Sequence, residues 1–304
     1  MLDSQIEKLM LGLSAAALTL ALATPPAQAA ATIKVAVDSI FANTANELVS
    51  AFQYAYPTAG YSVVVTTADS ASLEAEILSG GAAYDLFLAG SGKQPIDLAA
   101  NHPAMVVGSP FKYAEDFLAL FSKTVDVSHG LPFPLGAKVM LPDPAADPYG
   151  AIAARLISSP PWFVWRIPGP RSAVAPDAGT SLAAIDSGTY AFGFVANSSI
   201  CSLDANGAPS YEPGTYRHVY ALDPDATHRR RSWHLWRSLF RGHEIDGSVF
   251  LTGVKLAAAR TADQETELDN FLAFLTGTAN VSGAVSTAGT ELIEGHCFEI
   301  PVLP

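Results

Sequence analysis

The sequence predicts an α/β fold of two lobes, each carrying a mostly parallel sheet, joined by a hinge where the chain crosses between them. Three observations predict it. Short apolar strands alternate with amphipathic helices along most of the 304 residues. The strand, helix and next strand follow one another so closely that right-handed parallel crossovers are implied. After removal of an exported leader, roughly 275 residues remain, enough for two cores.

The leader is read from residues 1–29. Leu9 to Leu22 form an apolar run after Lys8 and lead into Ala27-Gln28-Ala29, a small-residue pattern of the kind signal peptidases cut. The run is short for a membrane-spanning helix, and no later segment reads as one, so the mature chain is expected to be soluble, monomeric and periplasmic or otherwise extracytoplasmic.

From Thr32 the elements follow in order. Ile33 to Val37 reads as a strand, and Ala45, Leu48, Val49 and Phe52 recur at helical spacing. Tyr61 to Val65 is a second strand. After Asp69-Ser70 a short helix carries Leu73 and Ile77 on one face, and Gly80-Gly81 stops it. Asp85 to Ala89 is a third strand. A second group has strands at Phe117 to Phe121, Ala137 to Leu141 and Tyr190 to Val195, with helices opening at Asp147-Pro148-Tyr149-Gly150 and Asp177-Ala178-Gly179-Thr180. The last third returns to a strand at Ser248 to Val254 and a helix whose Thr261 and Gln264 form a capping box. The division expected is residues 30–113 plus 247–304 for lobe 1 and 114–246 for lobe 2, with crossings near Phe111 to Phe117 and near Asp246.

Charge narrows the function. With 17 Lys and Arg against 29 Asp and Glu, the net charge of -12 repels nucleic acid and anionic membranes. It leaves open a small buried anion site made from local dipoles. Cys201 and Cys297 are an even pair in an exported chain, which predicts a disulfide, the alternative being two buried thiols.

Polar loops precede several helices: Asp38-Ser39, Asp69-Ser70-Ala71-Ser72, Pro148-Tyr149-Gly150 and Ala178-Gly179-Thr180. Helix N-termini offer unpaired N–H groups and partial positive charge, so several converging on one cleft can hold an anion without Lys or Arg. Each hydroxyl taken alone can equally cap its own helix. In open parallel sheets the ligand crevice lies beyond the carboxyl ends of the strands, where Ser39 and Ser70 fall.

In order and context these loops resemble the periplasmic molybdate-binding proteins of ABC transporters, members of the type II periplasmic solute-binding proteins. The likeness covers most of the mature chain. It is carried by Ser70-Ala71-Ser72-Leu73 with Ile77 and the following Gly81-Ala82-Ala83-Tyr84-Asp85-Leu86-Phe87-Leu88. Asp143-Pro144 with Pro148-Tyr149-Gly150, and Leu182, Asp186 and Gly193-Phe194-Val195, carry the rest. The resemblance implies a two-lobed type II fold, no catalysis and no cofactor. It further implies capture of molybdate, tungstate or a related small oxyanion, and delivery to an ABC permease in the inner membrane. The family takes its hydrogen bonds from two serines in the first lobe and from backbone amides and a tyrosine in the second. Carried over, Ser70 matches the second serine. Ser39 matches the first with a shift of one, Ile40 otherwise standing there. Tyr149 falls where the family has Ala, and Ala178 falls at a backbone donor. The tyrosine position is Ala196, which leaves Asn197 or Ser198 beside it as the candidate donor. This departure also keeps another small organic or inorganic ligand open.

Other chemistries fit less well. Ala89-Gly90-Ser91-Gly92-Lys93 looks like the tail of a phosphate-binding loop but lacks its first Gly, and Gln94 replaces the magnesium-binding hydroxyl. His218, His228, His234 and His243 lack metal-site spacing. A secreted hydrolase using Ser70 is the reading from another class, but it would need a His base near the cleft loops. Thr227 to Glu244 departs from the family: Arg229, Arg230, Arg231, Arg237 and Arg241 surround Trp233, Trp236 and Phe240. It reads as an amphipathic helix, either packed on its own lobe or docking an acidic transporter surface. If it docks, replacing Arg229, Arg230 and Arg231 by Ser slows uptake, most at low salt, and leaves solute affinity unchanged, as a reconstituted transport assay run beside calorimetry would record.

Overall fold

The computed structural model describes residues 32–57, 59–81, 83–221 and 246–301. The expected signal peptide and the Arg/Trp-rich segment Thr227 to Glu244 lie outside the described residues.

The first wing of the fold starts with β1 (Thr32–Asp38), α1 (Ala42–Ala55), β2 (Ser62–Ala68), α2 (Ser70–Ser79), β3 (Leu86–Ala89) and α3 (Lys93–Asn101). β1 pairs in parallel with both β2 and β3. The period-2 strand β1 buries Ile33, Val35 and Val37 on the face covered by α1, whose Ala45, Leu48 and Phe52 sit at the spacing of one helix face. Leu73 and Ile77 of α2, with Leu98 of α3, cover the opposite face against Ala36 and Phe87. Gly80 ends α2 at φ 68°, a left-handed C-cap that a side chain would strain.

The chain then leaves along β4 (Val106–Ser122), 17 residues long, where the sequence predicts only its end, Phe117 to Phe121. Gly108, Ser109 and Pro110 fall at a break in the pairing with the later strand, between the pairs Val107–Lys255 and Phe111–Gly253, and Gly108 takes φ 76° there. The second wing follows with β5 (Val139–Pro142), α4 (Pro148–Ser158), β6 (Ser172–Ala175), α5 (Ala178–Asp186) and β7 (Gly193–Ala196). β5 pairs in parallel with β6 and β7. A small hairpin, β8 (Cys201–Leu203) with β9 (Pro209–Tyr211), and β10 (Tyr216–Val219) complete it.

The return strand is β11 (Ser248–Leu256), and α6 (Ala262–Leu275) follows with its capping box formed between Thr261 and Gln264. A hairpin of β12 (Ala279–Val281) and β13 (Ala284–Ser286) leads to α7 (Ala288–Gly295). α6 lays Leu268, Phe271, Phe274 and Leu275 beside α1 in the first wing's core, with the Phe52 ring 5.3 Å from Phe271 and 5.8 Å from Phe274.

The two expected sheets are continuous. Among the described residues nine strands form one sheet in the order β2-β1-β3-β11-β4-β7-β5-β6, with β10 also on β4. Its flanks are parallel and its centre antiparallel. Residues 106–107 and 111–117 of β4 run against β11 with a bulge between them, whereas residues 118–122 pair with β7 and β10, so one strand serves both wings. Where β11 begins, Gly247 exchanges backbone hydrogen bonds with Leu118 and Tyr220, and a Cβ there would lie 2.3 Å from the Tyr220 carbonyl oxygen. Only glycine permits that approach.

Cys201 and Cys297 form a disulfide across 96 positions. Cys201 belongs to the hairpin, whose Tyr211 lies under Arg217 of β10, in the second wing. Cys297 follows α7, and its neighbours His296 and Phe298 contact Glu47 and Phe41 of the first. The bridge therefore joins the wings beside β4, which Glu299 meets through paired backbone bonds to Glu115. Chain-entropy reasoning gives roughly 4–5 kcal/mol for a loop this long. The double variant Cys201→Ser/Cys297→Ser should lose stability of that order in urea titrations.

Candidate functional site

Five loops at the carboxyl ends of parallel strands meet at one cavity of about 150 Å³. Asp38 and Ser39 end β1, Asp69 and Ser70 follow β2, and Gly90 follows β3. From the second wing come Asp147 to Tyr149 after β5 and Asp177 to Gly179 after β6. Each loop opens a helix or a helical turn, so backbone N–H groups point into the space between the wings.

Those groups are held by the chain's own carboxylates. Asp38 Oδ1 accepts from Ile40 N–H at 3.0 Å, and Oδ2 accepts from Ser70 N–H at 2.9 Å and from the Ser70 hydroxyl. The Ser70 oxygen in turn accepts from Gly90 N–H at 2.9 Å. A Cβ at Gly90 would stand 2.8 Å from Asp38 Cγ, so the glycine in the Gly90-Ser91-Gly92 run makes room for a carboxylate rather than for a phosphate. Opposite, Asp147 Oδ1 accepts from Tyr149 N–H at 2.8 Å and Gly150 N–H at 3.0 Å, while Oδ2 reaches Ala178 N–H at 3.0 Å. Asp69 and Asp177 cap their own helices through Ser72 N–H and Thr180 N–H.

Four aspartates thus line the cavity, and among the described residues no Lys, Arg or His lines it. Burial raises the Asp38 carboxyl above its ordinary pKa against the pull of the Ser70 and Ile40 hydrogen bonds, and the charge of Asp69 adds to the rise. Burial likewise pushes Asp147 up to about 6, opposed by its three N–H donors and reinforced by the charge of Asp38. Past Ser91, Ala146 and Asp147 the cavity adjoins a wider cleft of about 720 Å³, where Lys93, Lys112 and Arg155 stand.

The residues singled out in the sequence have separate fates. Ser39, Ser70, Tyr149 and Ala178 all line the cavity. Tyr149 donates its N–H to Asp147, and its hydroxyl donates to the fully buried Asp116 on β4 at 2.7 Å. Asn197 is not brought there: it is 6% exposed, and its Oδ1 accepts from the Tyr211 hydroxyl at 3.1 Å. The backbone turn after Ala196 instead carries Ser198 to Asp116, by its N–H at 3.1 Å and its hydroxyl at 2.6 Å. Ser70 has Asp38 and Gly90 N–H as hydroxyl partners, not a histidine. The sequence pattern assigns no site role to Asp38, Asp147, Gly90 or Asp116. The first two stood in the quoted loops as N-cap residues, a signal that names a cap and not a cavity wall.

A two-winged α/β molecule with a small polar cavity between the wings, ringed by helix N-termini, is the architecture of type II solute-binding proteins of the ABC-importer kind. The chain belongs to the family described as bacterial extracellular solute-binding protein, whose sequence profile matches residues 33–282. Membership places it outside the cytoplasmic membrane. Among solved structures, the periplasmic molybdate-binding protein of Azotobacter vinelandii superposes with TM-score 0.62 at 20% identity, covering 89% of this chain and 100% of that one. A substrate-binding domain assigned to a molybdenum ABC transporter of Clostridium difficile gives 0.59 at 15% identity, with 89% and 99% covered. Iron-bound HitA of Pseudomonas aeruginosa gives 0.51 at 14%, with 86% and 83% covered. The resemblance read from the sequence holds for the fold, which carriers of anions and of a metal cation share. No curated protein sequence matches significantly.

The raised carboxyls set a pH dependence. A folded-state pKa above the unfolded value means that the native state binds more protons, so stability falls as pH rises through it. Asp147 at about 6 and the wholly buried Glu267 at about 7 therefore make the ligand-free protein more stable at pH 5 than at pH 7.5. The window lies above the range in which Asp69 and Glu265, whose pKa values are lowered, would protonate. Melting temperatures across it should rise on acidification, and Asp147→Asn should remove part of that slope.

Proposed function

We propose that this chain is the capture component of an ABC importer and holds one small solute in the cavity bounded by Asp38 and Ser70 on one wing and Asp147 and Ala178 on the other. The observation that carries the reading is the convergence of N–H donors from both wings on a single small cavity. A solute bridging the two loop sets stabilises the closed arrangement over any open one, the differential affinity that capture requires. The hinge proposed for that motion lies at the two crossings, in β4 and at the start of β11, so that residues 30–113 with 247–304 move against 114–246. Delivery is to a permease in the inner membrane.

Two ligand classes have specific support. The helix starts at Ser70, Tyr149 and Ala178 suit molybdate or tungstate, the solutes that the resemblance implies, provided the solute displaces Asp38 and Asp147 from their N–H groups. The four aspartates of the cavity suit a neutral or cationic organic solute instead. A thermal-shift screen of the mature protein at pH 7.5 separates them, with oxyanions in one set and small amines, amidines and polyols in the other. A ligand at a hundred times its dissociation constant stabilises by about 2.7 kcal/mol. Ser91→Trp, at the cavity wall, should abolish the shift, and a wild type unmoved by every member would remove solute capture at this cavity.

A further inference from the structure

We propose that Asp38 and Asp147 are the specificity-determining residues of the cavity: their carboxylates stand where a bound anion would, so the site refuses free oxyanions and accepts a solute that presents hydrogen-bond donors or positive charge. The proposal rests on the reading that the solute is captured in this cavity.

The donor inventory leads to it. Each carboxylate has about four lone-pair sites. Asp38 fills three of them with Ile40 N–H, Ser70 N–H and the Ser70 hydroxyl, and Asp147 fills three with the N–H groups of Tyr149, Gly150 and Ala178. These include three of the donors that the family likeness allots to the ligand, at Ser70, Tyr149 and Ala178, and each of the three is spent on an internal anion. Ser39, the other serine of the likeness, lines the cavity outside these bonds. A free dianion would have to evict two carboxylates from charge-assisted hydrogen bonds and then sit among four negative groups with, among the described residues, no cation lining the space. Among the described residues, Lys93, Lys112 and Arg155 line one adjoining cleft and His296 another.

The backbone is shaped around this arrangement. Gly90 leaves no room for a Cβ because Asp38 fills it, and its N–H fixes the Ser70 oxygen so that the Ser70 proton points to Asp38. On the other wing Asp147 caps α4 ahead of Pro148 and also reaches α5, tying two helix starts with one side chain. What the carboxylates still offer the cavity is acceptor capacity, about one lone pair each. A complementary solute therefore brings donors: an ammonium, an amidinium or a pair of hydroxyls. A metal ion is a poorer match, since no group of three or more His, Cys, Asp or Glu among the described residues is placed to hold one.

The test is titration calorimetry at pH 7.5 with molybdate, tungstate and sulfate, on the wild type, Asp38→Asn, Asp147→Asn and the double variant, with circular dichroism to verify folding. The wild type should show no binding tighter than about 1 mM, and the double variant should bind at least one oxyanion about a hundredfold or more tighter. Should the double variant not fold, the single variants with Asp→Ala counterparts carry the same comparison. Micromolar oxyanion binding by the wild type that the substitutions leave alone or weaken would overturn the proposal. So would a folded double variant that binds no oxyanion. The amine, amidine and polyol set is run in parallel on the wild type. A response there keeps the capture reading even if the oxyanion result goes against the aspartates, whereas silence in every arm removes the capture reading itself.

Discussion

The pairing of β4 with β11 is the constraint on which the rest of the molecule depends. Two parallel flanks, each with its own helices, would otherwise be separate bodies; one strand long enough to serve both makes them a single sheet. Antiparallel bonds at the centre fix the height of the two flanks relative to each other, and that sets the loops at the strand ends face to face. Asp116 reinforces the junction from within. Wholly buried on β4, it accepts from Tyr149 of α4 and from Ser198 after β7, so the strand that crosses between the wings also positions the second wing's loops. A buried carboxylate is tolerable there because it has four donors, its own neighbour Phe117 N–H included. The Cys201–Cys297 bridge adds a covalent link beside the same strand.

Helix N-termini at such a junction are in demand from two sides. Left uncapped, they would attract an anion from solution; capped by Ser, Thr or Asp, they stabilise their own helices. This chain caps with aspartate at each of the helix starts after β2, β5 and β6, and at the helical turn after β1. Asp38 and Asp147 go further by reaching a second element each. The fold shared with the molybdate-binding protein is thereby kept while the N–H groups of Ser70, Tyr149 and Ala178 are bonded to the chain's own carboxylates.

Much of this fold was legible from residue pattern. The strand and helix alternation from Thr32 to Leu88, the stop at Gly80 and the capping box at Thr261 each follow from a local rule, and each appears in the structure. The pattern reading missed α3, β6 and α7, and it shortened β4. α3 begins beside Gly90-Ser91-Gly92, which punctuates like a loop, and the first half of β4 carries Gly108 and Pro110 in a bulge, so only the flanking pairs of residues 106–107 and 111–112 with β11 mark it as strand. The disulfide followed from cysteine count and compartment, since nothing local pairs residues 96 positions apart.

The site divides along the same line. Which loops converge was set by the sequence itself, because an N-cap before a helix at the end of a parallel strand is a local pattern with a known place in the sheet. Ser39, Ser70, Tyr149 and Ala178 reached the cavity for that reason. Which atoms are bonded to one another around the cavity was decided only by the tertiary structure. Asp38 meets Ser70 across 32 positions, Asp147 meets Ala178 across 31 and Asp116 meets Ser198 across 82, and a carboxylate's partner is a matter of distance in space. The sequence could show that donors were present. It could not show that they were already occupied, because occupancy depends on long-range packing that brings a charge from one loop onto the N–H groups of the next.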